Sequence, residues 1–497
     1  MHSGYDPLMD ASPSKARQQL GSIARQAMLD RGLLPDFSSA AAAQTSAYAQ
    51  AAVDNSVRDM TDREWVSIDN DDSRDLDQLA VAEALSGGTA RLLVAIADVD
   101  ALLKRGSPID NHARQNTTSV YTAAQIFPML PERLSTDLTS LAQGQKRLAL
   151  VIDMTVSAAG IVTDSDIYRA TVLNKAKLAY NSVAAWLDGS AAAPAPLAAA
   201  ELQSQVRLQD QVAQTIGRVR QQRGALALQT IQTDAEFDGE ALRDLIPQQN
   251  NRAHDLIENQ MIAANGVVAR WLQGKGLASI RRVLRTPKRW DRIVALAAEV
   301  GERLPAAPDS GALNEFLAKR RSSDPDRFPD LSLSVIKLLG RGEYALDMPG
   351  QPIEGHFGLA VSDYLHSTAP NRRFPDLLSQ RLLKAALAGS AAPYSTDELR
   401  DLAAHCTAQE DNAAKVERRV AKSAAAMLLQ SRIGQMFDAI VTGAADKGTW
   451  VRIFAPPVEG RVIRGYQGLD VGQRVQVRLV GTDVARGFID FACEDKP

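Results

Sequence analysis

The segment SIDNDDSRDLDQL, residues 67–79, places five aspartates within nine positions: Asp69, Asp71, Asp72, Asp75 and Asp77. So many carboxylates in one short turn repel each other unless a positive charge compensates them. A solvated acidic loop is the simpler interpretation. However, the apolar segments on both sides, WVSI before and LLVAIADV after, predict strands that hold the turn at a buried edge.

The type of ligand in this turn indicates which cation could compensate it. Carboxylate oxygens without cysteine or clustered histidine suit Mg²⁺, with Mn²⁺ as the alternative, rather than Zn²⁺. The two cysteines, Cys406 and Cys493, are far apart in the sequence, which excludes a disulfide scaffold and a cysteine-based zinc site. Carboxylate-held Mg²⁺ is typical of phosphodiester chemistry, in which metals stabilise the attacking and leaving oxygens.

The patterns around this turn predict a mixed α+β body over residues 65–435. WVSID and RLLVAIADV are short β-rich runs, LALVIDMTVSAAGIV is typical of a hairpin, and AHDLIENQMIAANGVVARWL from Ala253 has helical amphipathicity. Residues 1–64 favour helices instead. We expect them to form a helical arm packed on the body, and a nucleic-acid-binding helical module is the alternative.

The last part of the chain, residues 436–497, has a different rhythm. About five short alternating strands with glycine at the turns predict a small Greek-key barrel of the OB type. Its aromatic and basic residues, among them Trp450 and Arg452, suit single-stranded nucleic acid. Aromatic residues that only fill the core of the barrel are the alternative interpretation.

Composition limits the remaining function classes. The 497 residues suggest two to four domains, and 56 basic against 59 acidic residues give a net charge of −3, so nucleic-acid contact has to come from local patches. No long apolar run and no signal-peptide pattern occur in the sequence, from which we expect a cytoplasmic protein without membrane contact. No phosphate-binding loop of the Walker type is present, so ATP-driven work is not expected.

The aspartate segment resembles the signature of the ribonuclease II family, the RNB-domain exoribonucleases. The resemblance continues in order through three further segments: TTSVYTAAQIFPMLPERLSTDLTSLAQGQKRLAL (117–150), HDLIENQMIAANGVVA (254–269) and GHFGLAVSDYLHSTAPNRRFPDLLSQRLL (355–383). The order of these segments is more specific than any one of them. The predicted C-terminal barrel is similar to the RNA-binding OB module that usually follows the RNB domain.

The resemblance implies roles for individual residues. As catalytic residues it implies Asp75, Asp77 and Arg372, with Arg372 steadying the scissile phosphate. As metal ligands it implies Asp69, Asp75, Asp77 and Gln78. As RNA-binding residues it implies Tyr121, which holds the 3′-terminal nucleotide, Arg373 and Glu417.

The chain departs from the family pattern at three places. The family has two adjacent aspartates where this chain has Asp77 followed by Gln78. The family's SPIRRYPD is APNRRFPD here, so Asn371 and Phe374 differ while both arginines are kept. Family members commonly carry two cold-shock-type barrels before the catalytic body, and the helix-prone residues 1–64 predict a helical region in their place.

The resemblance implies a Mg²⁺-dependent exoribonuclease that hydrolyses single-stranded RNA from the 3′ end and releases nucleoside 5′-monophosphates. We expect a monomer that works without ATP. The alternative is a catalytically impaired RNB-fold regulator that binds RNA, for which Gln78 is the indication. A DNA-directed nuclease is a third possibility.

Overall fold

The computed structural model describes residues 15–231, 233–325, 327–352, 355–445 and 448–494. Residues 1–14 of the predicted helical region lie outside the described residues. The α-helices are α1 (Ala16–Leu29), α2 (Ser39–Ala47), α3 (Pro108–Asn116), α4 (Tyr180–Leu187), α5 (Ala200–Gln222), α6 (Arg252–Gly274), α7 (Trp290–Glu299), α8 (Ser310–Ser323), α9 (Phe328–Leu339), α10 (Phe374–Leu387) and α11 (Thr396–Leu429).

The strands are β1 (Arg58–Asp59), β2 (Val66–Asp69), β3 (Gln78–Ala84), β4 (Ala90–Ala97), β5 (Val120–Tyr121), β6 (Ile126–Phe127), β7 (Lys146–Val156), β8 (Val162–Leu173), β9 (Ala176–Ala179), β10 (Thr233–Asp238), β11 (Ala241–Pro247), β12 (Ser279–Val283), β13 (Glu343–Asp347), β14 (Met436–Ala445), β15 (Gly448–Ile453), β16 (Glu459–Arg464), β17 (Arg474–Asp483) and β18 (Phe488–Cys493). Helices and strands alternate through the body, which confirms the predicted mixed fold class.

A mixed sheet in the order β1-β8-β7-β4-β3-β2-β9 forms the centre of the described body. Its inner pairs are antiparallel, and the edge strands β1 and β9 pair in parallel with β8 and β2. The predicted hairpin forms β7 and β8. Gly160 in its turn has a φ of 79°, and a Cβ there would lie 2.5 Å from the carbonyl oxygen of Thr215. Glycine therefore lets α5 approach this turn closely.

Helices cover the sheet and share its core. Apolar side chains of β4 and β7 belong to the same buried cluster as those of α6 and α10, including Leu93, Ile152, Val268 and Leu378. The predicted amphipathic helix is α6, whose first turn is capped by the Asn251 side chain. The capped start fixes where this helix begins relative to the sheet.

The N-terminal helices lie against the body. Ala24 and Met28 of α1 pack with Val416 and Val420 of α11. Helix α2 contacts α3, where the side chain of Gln44 accepts a hydrogen bond from the backbone of Ile109 at 2.9 Å. These contacts are those of an arm packed on the main body.

The C-terminal strands close into a five-stranded barrel in the order β14-β15-β16-β18-β17, as predicted. Its apolar core continues into Ala426 and Leu429 at the end of α11, so the barrel is seated on the body. Within the described ranges, no helix is both long and apolar enough to cross a membrane.

The barrel contributes one correction to the sequence analysis. Arg452 was predicted to contact RNA, but it is 9% exposed and its guanidinium forms an ion pair with Asp330 of α9, with Nη2 and Oδ2 3.1 Å apart. Burial raises the pKa of Asp330, and the guanidinium opposes this rise. The arginine is therefore a structural link between the barrel and the body, because its charge is already compensated inside the protein.

Candidate active site

The aspartate segment connects two neighbouring strands of the sheet. β2 ends at Asp69, and β3 begins at Gln78. The turn between them lines a cavity of about 1370 Å³, which we call the site cavity. Asp69, Asp75, Tyr121 and Arg372 line this cavity together. The predicted turn at a buried edge is thus present, and distant segments meet it there.

The loop at residues 369–373 brings Arg372 to Asp77, which is 1% exposed. The backbone N–H of Asn371 donates to Asp77 Oδ1 at 2.9 Å, and Arg372 Nε lies 3.4 Å from Asp77 Oδ2. The hydroxyl of Thr139 donates to Asn371 Oδ1 at 2.6 Å. The loop therefore presents both a backbone donor and a guanidinium to one carboxylate.

Asp376 fixes the conformation of this loop. It lies in the first turn of α10 with no exposed surface, and its Oδ1 accepts from the backbone N–H of Ala369 at 2.8 Å. Arg373 donates to the same carboxylate through Nε at 2.8 Å and Nη2 at 2.7 Å. Two donors of the predicted RNA-binding Arg373 are thus occupied within the protein, and its role toward RNA stays a prediction.

Tyr121 stands at the rim of the site cavity with 42% of its surface exposed. Its backbone N–H donates to Glu417 Oε1 at 2.9 Å, and the N–H of nearby Ser119 donates to the carbonyl of Arg372 at 2.9 Å. Burial raises the pKa of Tyr121 to about 12, Asp75 and Asp77 add to the rise, and Arg372 opposes it. The phenol is therefore neutral at physiological pH and held beside the arginine.

The carboxylates of the site destabilise one another. Burial raises the pKa of Asp77 to about 7, Arg372 and the Asn371 N–H oppose the rise, and Asp75 adds to it. Burial likewise raises the pKa of Asp75, where Asp69 adds to the rise and Arg372 opposes it. Burial lowers the pKa of Arg372, but the surrounding acidic groups outweigh this effect and the pKa is raised overall. The site combines a permanent cation with an excess of negative charge.

The donors of the site suit a divalent cation. Asp77 Oδ2 is buried and has no hydrogen-bond partner, and the neighbouring carboxylates supply only oxygen ligands. Within the described ranges, however, no three or more histidine, cysteine, aspartate or glutamate side chains are spaced to enclose a metal ion. The chemistry of the donor set fits a hard cation, although the side chains do not converge on one centre.

Two residues near the site, Tyr180 and His254, have no role that the sequence predicted. Tyr180 directly follows β9, whose Ala179 pairs with Asp69, and its ring stacks on His254 with the ring centroids 4.0 Å apart. Burial raises the pKa of Tyr180, and Asp69 adds to the rise. Burial lowers the pKa of His254, and Asp69 opposes this. Because only the parallel pairing of β2 with β9 brings Tyr180 to Asp69, no local motif could have indicated it.

The other predicted site residues lie at different depths. Gln78 is the buried first residue of β3, opposite Ile96, and it does not line the site cavity. Its role as a metal ligand stays a prediction. Trp450 is half-buried in β15, where its ring would lie 3.5 Å from a Cβ at Gly443. The role of Trp450 toward RNA also stays a prediction.

Comparison with known proteins identifies the family. The RNB domain model matches residues 57–389, and the model of the RNase II-type exonuclease C-terminal S1 domain matches residues 435–494. Ribonuclease R of Escherichia coli strain K12 is 31% identical over 476 residues, which cover 87% of this chain and 57% of that protein. Ribonuclease R of Thermotoga maritima is 29% identical over 474 residues, which cover 87% of this chain and 64% of that protein.

Solved structures share the fold. Mycoplasma genitalium RNase R in complex with ribose methylated single-stranded RNA matches with a TM-score of 0.86 at 23% identity, covering 95% of this chain and 77% of that chain. Yeast Ssd1, described as a pseudonuclease, matches with a TM-score of 0.69 at 17% identity, covering 91% of this chain and 56% of that chain. The chain spans less than two thirds of the length of these ribonuclease R relatives. It belongs to the RNB-domain family of ribonuclease II type, and its C-terminal barrel is the S1 domain of that family.

Proposed function

We propose that this protein is an exoribonuclease that hydrolyses single-stranded RNA from the 3′ end and releases nucleoside 5′-monophosphates. The observation that carries the proposal is the ion pair between Arg372 and Asp77 beside the site cavity, which joins an arginine to a carboxylate-rich turn. The ribonuclease R name of its relatives supports the same activity. We assign catalysis to residues 65–435 and RNA holding to residues 436–497, in a monomer that works without ATP.

The reaction needs a divalent cation, and Asp69, Asp75 and Asp77 are the residues that would hold it. Mg²⁺, with Mn²⁺ as the alternative, supplies charge that activates water and stabilises the leaving oxygen. The excess of carboxylates supports this assignment, as does Asp77 Oδ2, which is buried without a hydrogen bond to any described residue and lies 3.4 Å from Arg372 Nε. Burial is the main cause of the raised pKa values of Asp75 and Asp77, and neighbouring carboxylates add to it; a bound cation would offset both effects.

Arg372 acts on the phosphate in the transition state. A water oxygen adds to phosphorus, the bond to the 3′ oxygen of the preceding nucleotide breaks, and that oxygen leaves with a proton as the new 3′ hydroxyl. Negative charge grows on the phosphoryl oxygens during this displacement. Arg372 has a permanently charged fork, and its side chain is 44% exposed, so it can turn donors toward that charge.

Tyr121 acts on the substrate before the chemistry. Its exposed ring at the rim of the site cavity suits stacking on the terminal base, which is worth about 1–3 kcal/mol per base. Glu417 serves this role by accepting the backbone N–H of Tyr121, which fixes the strand that carries the ring. Tyr180 lies near Asp69 with its ring stacked on His254, and it does not line the site cavity.

A binding protein without catalysis is the second candidate. Two observations favour it: Gln78 replaces an acidic residue of the family motif, and the fold is shared with the pseudonuclease Ssd1. The likeness to Ssd1 concerns the fold alone. The presence of Asp69, Asp75, Asp77 and Arg372 around one turn favours the enzyme.

One assay separates these candidates. A 5′-labelled single-stranded RNA and the matching DNA are incubated with the protein and Mg²⁺ or Mn²⁺, and then with EDTA. The enzyme shortens RNA stepwise, leaves DNA intact and stops with EDTA, and Asp77→Asn lowers the rate by several powers of ten while RNA affinity changes little. Binding of RNA without any shortening would establish the regulator, and equal shortening of DNA would establish a general nuclease.

A further inference from the structure

Two further cavities lie in a row beside the site cavity. The first, which we call the side cavity, has about 910 Å³ and lies between the end of α5, the start of α6 and the coils at residues 225–230 and 248–250. Thr230 and Gln248 line both the site cavity and the side cavity. These two side chains, one half-buried and one exposed, therefore stand at a common wall.

The second, which we call the basic pocket, also has about 910 Å³ and opens on the far side of Arg220. Arg220 lines both the side cavity and the basic pocket. The basic pocket is also lined by the cationic side chains Arg223, Arg270, Arg285 and Lys288, against one lining carboxylate, Asp363. This balance contrasts with the chain as a whole, whose net charge is −3.

An enzyme that digests a threaded strand has to release its product past that strand. When the RNA stays in the entrance of the site cavity between cleavages, each cycle adds one free nucleotide behind it. A nucleotide can diffuse out without unthreading the RNA only if the cavity has another opening. The side cavity adjoins the site cavity at Thr230 and Gln248, which is where such an opening would lie.

We infer that the side cavity and the basic pocket form an exit route for the nucleoside 5′-monophosphate, with Arg220 binding its phosphate where the two cavities meet. The inference rests on the proposed function. A phosphate monoester carries between one and two negative charges at neutral pH, so a path of increasing positive potential draws it outward. Arg270 lies 3.7 Å from Asp363, and Arg285 is paired with Glu343. Arg223 and Lys288 therefore contribute most of that potential at the outer end.

The surroundings of Arg220 suit the transient binding of an anion. Its Nη1 donates to Asn259 Oδ1 at 2.6 Å, and its guanidinium lies 3.4 Å from Glu258 Oε1, so the side chain is held in place at the junction. Its Nε is buried without a hydrogen-bond partner. Glu258 is itself half exposed and leaves part of the guanidinium charge uncompensated.

The charge of Arg220 also extends into the basic pocket. His356 lines this pocket, and its pKa is lowered to about 4 by burial first, then by Arg282 and Arg220. The imidazole is therefore neutral at physiological pH and adds no competing charge. Val219, Ile262 and Phe357 provide an apolar floor on which a nucleobase can rest.

The exit route is tested by a substitution that narrows the side cavity and leaves the lining of the site cavity unchanged. Gln221 is an exposed residue in the last turn of α5 that lines the side cavity alone, and its neighbour Gln222 is equally exposed and lines none of the three cavities. Gln221→Trp is expected to lower the steady-state rate on long RNA about tenfold and to leave the single-turnover rate of the first cleavage unchanged. Gln222→Trp is expected to change neither rate. Parallel loss of both rates, or no loss in Gln221→Trp, would overturn the route.

A binding measurement separates failure of this inference from failure of the proposed function. AMP is titrated into the Asp77→Asn protein saturated with single-stranded RNA, so that the site cavity is filled and cleavage is too slow to release AMP during the titration. We expect AMP to bind, adenosine not to bind, and Arg220→Ala to weaken AMP binding about tenfold. Absence of AMP binding, or unchanged binding in Arg220→Ala, refutes the exit site whether or not the wild-type protein cleaves RNA.

Discussion

Replacing Asp376 by asparagine removes the negative charge that holds the loop at residues 369–373. The carboxylate is fully buried and accepts from Ala369 N–H at 2.8 Å and from Arg373 at 2.8 and 2.7 Å. Removing one partner of a buried ion pair destabilises a protein by about 3–5 kcal/mol, because the other charge is left uncompensated. An asparagine oxygen can still accept the Ala369 N–H, so we expect a loss near the lower value, about 3 kcal/mol.

The same change is expected to affect catalysis through Arg372. This residue lies in the loop that Asp376 anchors, and its guanidinium acts only when it is aligned with the phosphate. A misplacement on the order of 1 Å in an active site lowers the rate about 100-fold. We therefore expect the single-turnover rate of Asp376→Asn on a 5′-labelled RNA to fall about 100-fold, with RNA affinity nearly unchanged because binding is spread along the strand.

Asp110 provides a matched control. It is 3% exposed, and its carboxylate accepts from Arg381 Nη2 at 2.7 Å and from the backbone N–H of Gly106 at 2.7 Å, but it lines no part of the site cavity. Arg381 keeps Asp100 as a partner at 2.8 Å, so Asp110→Asn should lower the denaturant midpoint by no more than Asp376→Asn does and leave the cleavage rate intact. If Asp376→Asn loses the same stability and still cleaves at the wild-type rate, the loop does not depend on Asp376 and the reasoning is refuted.

Three further changes test other parts of the molecule. Arg452→Ala should lower the free energy of unfolding by about 3–5 kcal/mol, because it leaves Asp330 buried and unpaired. The RNA affinity of the folded protein should stay unchanged. A loss of RNA affinity without a loss of stability would instead support the predicted contact between Arg452 and RNA. His112 is buried, and desolvation lowers its pKa in the folded protein to about 4. Between pH 6.5 and pH 4 the imidazole is therefore protonated only in the unfolded state. The free energy of unfolding should fall by about 3 kcal/mol as the pH drops through that range. Urea titrations at pH 7 and pH 4 should show this extra loss in the wild type and not in His112→Gln, and equal losses would contradict it. Gln78→Asp adds a carboxylate beside Asp77 and should lower the divalent-metal concentration that gives half-maximal cleavage, whereas an unchanged metal requirement would show that Gln78 takes no part.

The local sequence predicted those features that depend on near neighbours. The apolar runs WVSI and LLVAIADV predicted strands on either side of the acidic turn, and they form β2 and β4; β3, which directly follows the turn, was not predicted. Short strands separated by glycine predicted the closed barrel of β14 to β18. In both cases the signal is local, because a short apolar or alternating run bounded by turn residues is visible within a few residues. The order of the family motifs identified the remaining site residues by resemblance.

Only the tertiary structure decided which of these residues are in contact and which charges are compensated by ion pairs within the protein. Asn371 is 294 positions from Asp77, and only the packing of α10 beside the sheet brings its N–H to the carboxylate. Arg452 is a basic residue in a barrel whose composition suits RNA, yet its side chain points into the protein because Asp330 of α9 lies opposite to it. Tyr180 reaches Asp69 through the parallel pairing of β9 with β2. Sequence records which charges and rings a chain carries, but burial and partnership depend on contacts between distant segments, so they become defined only when the chain has folded.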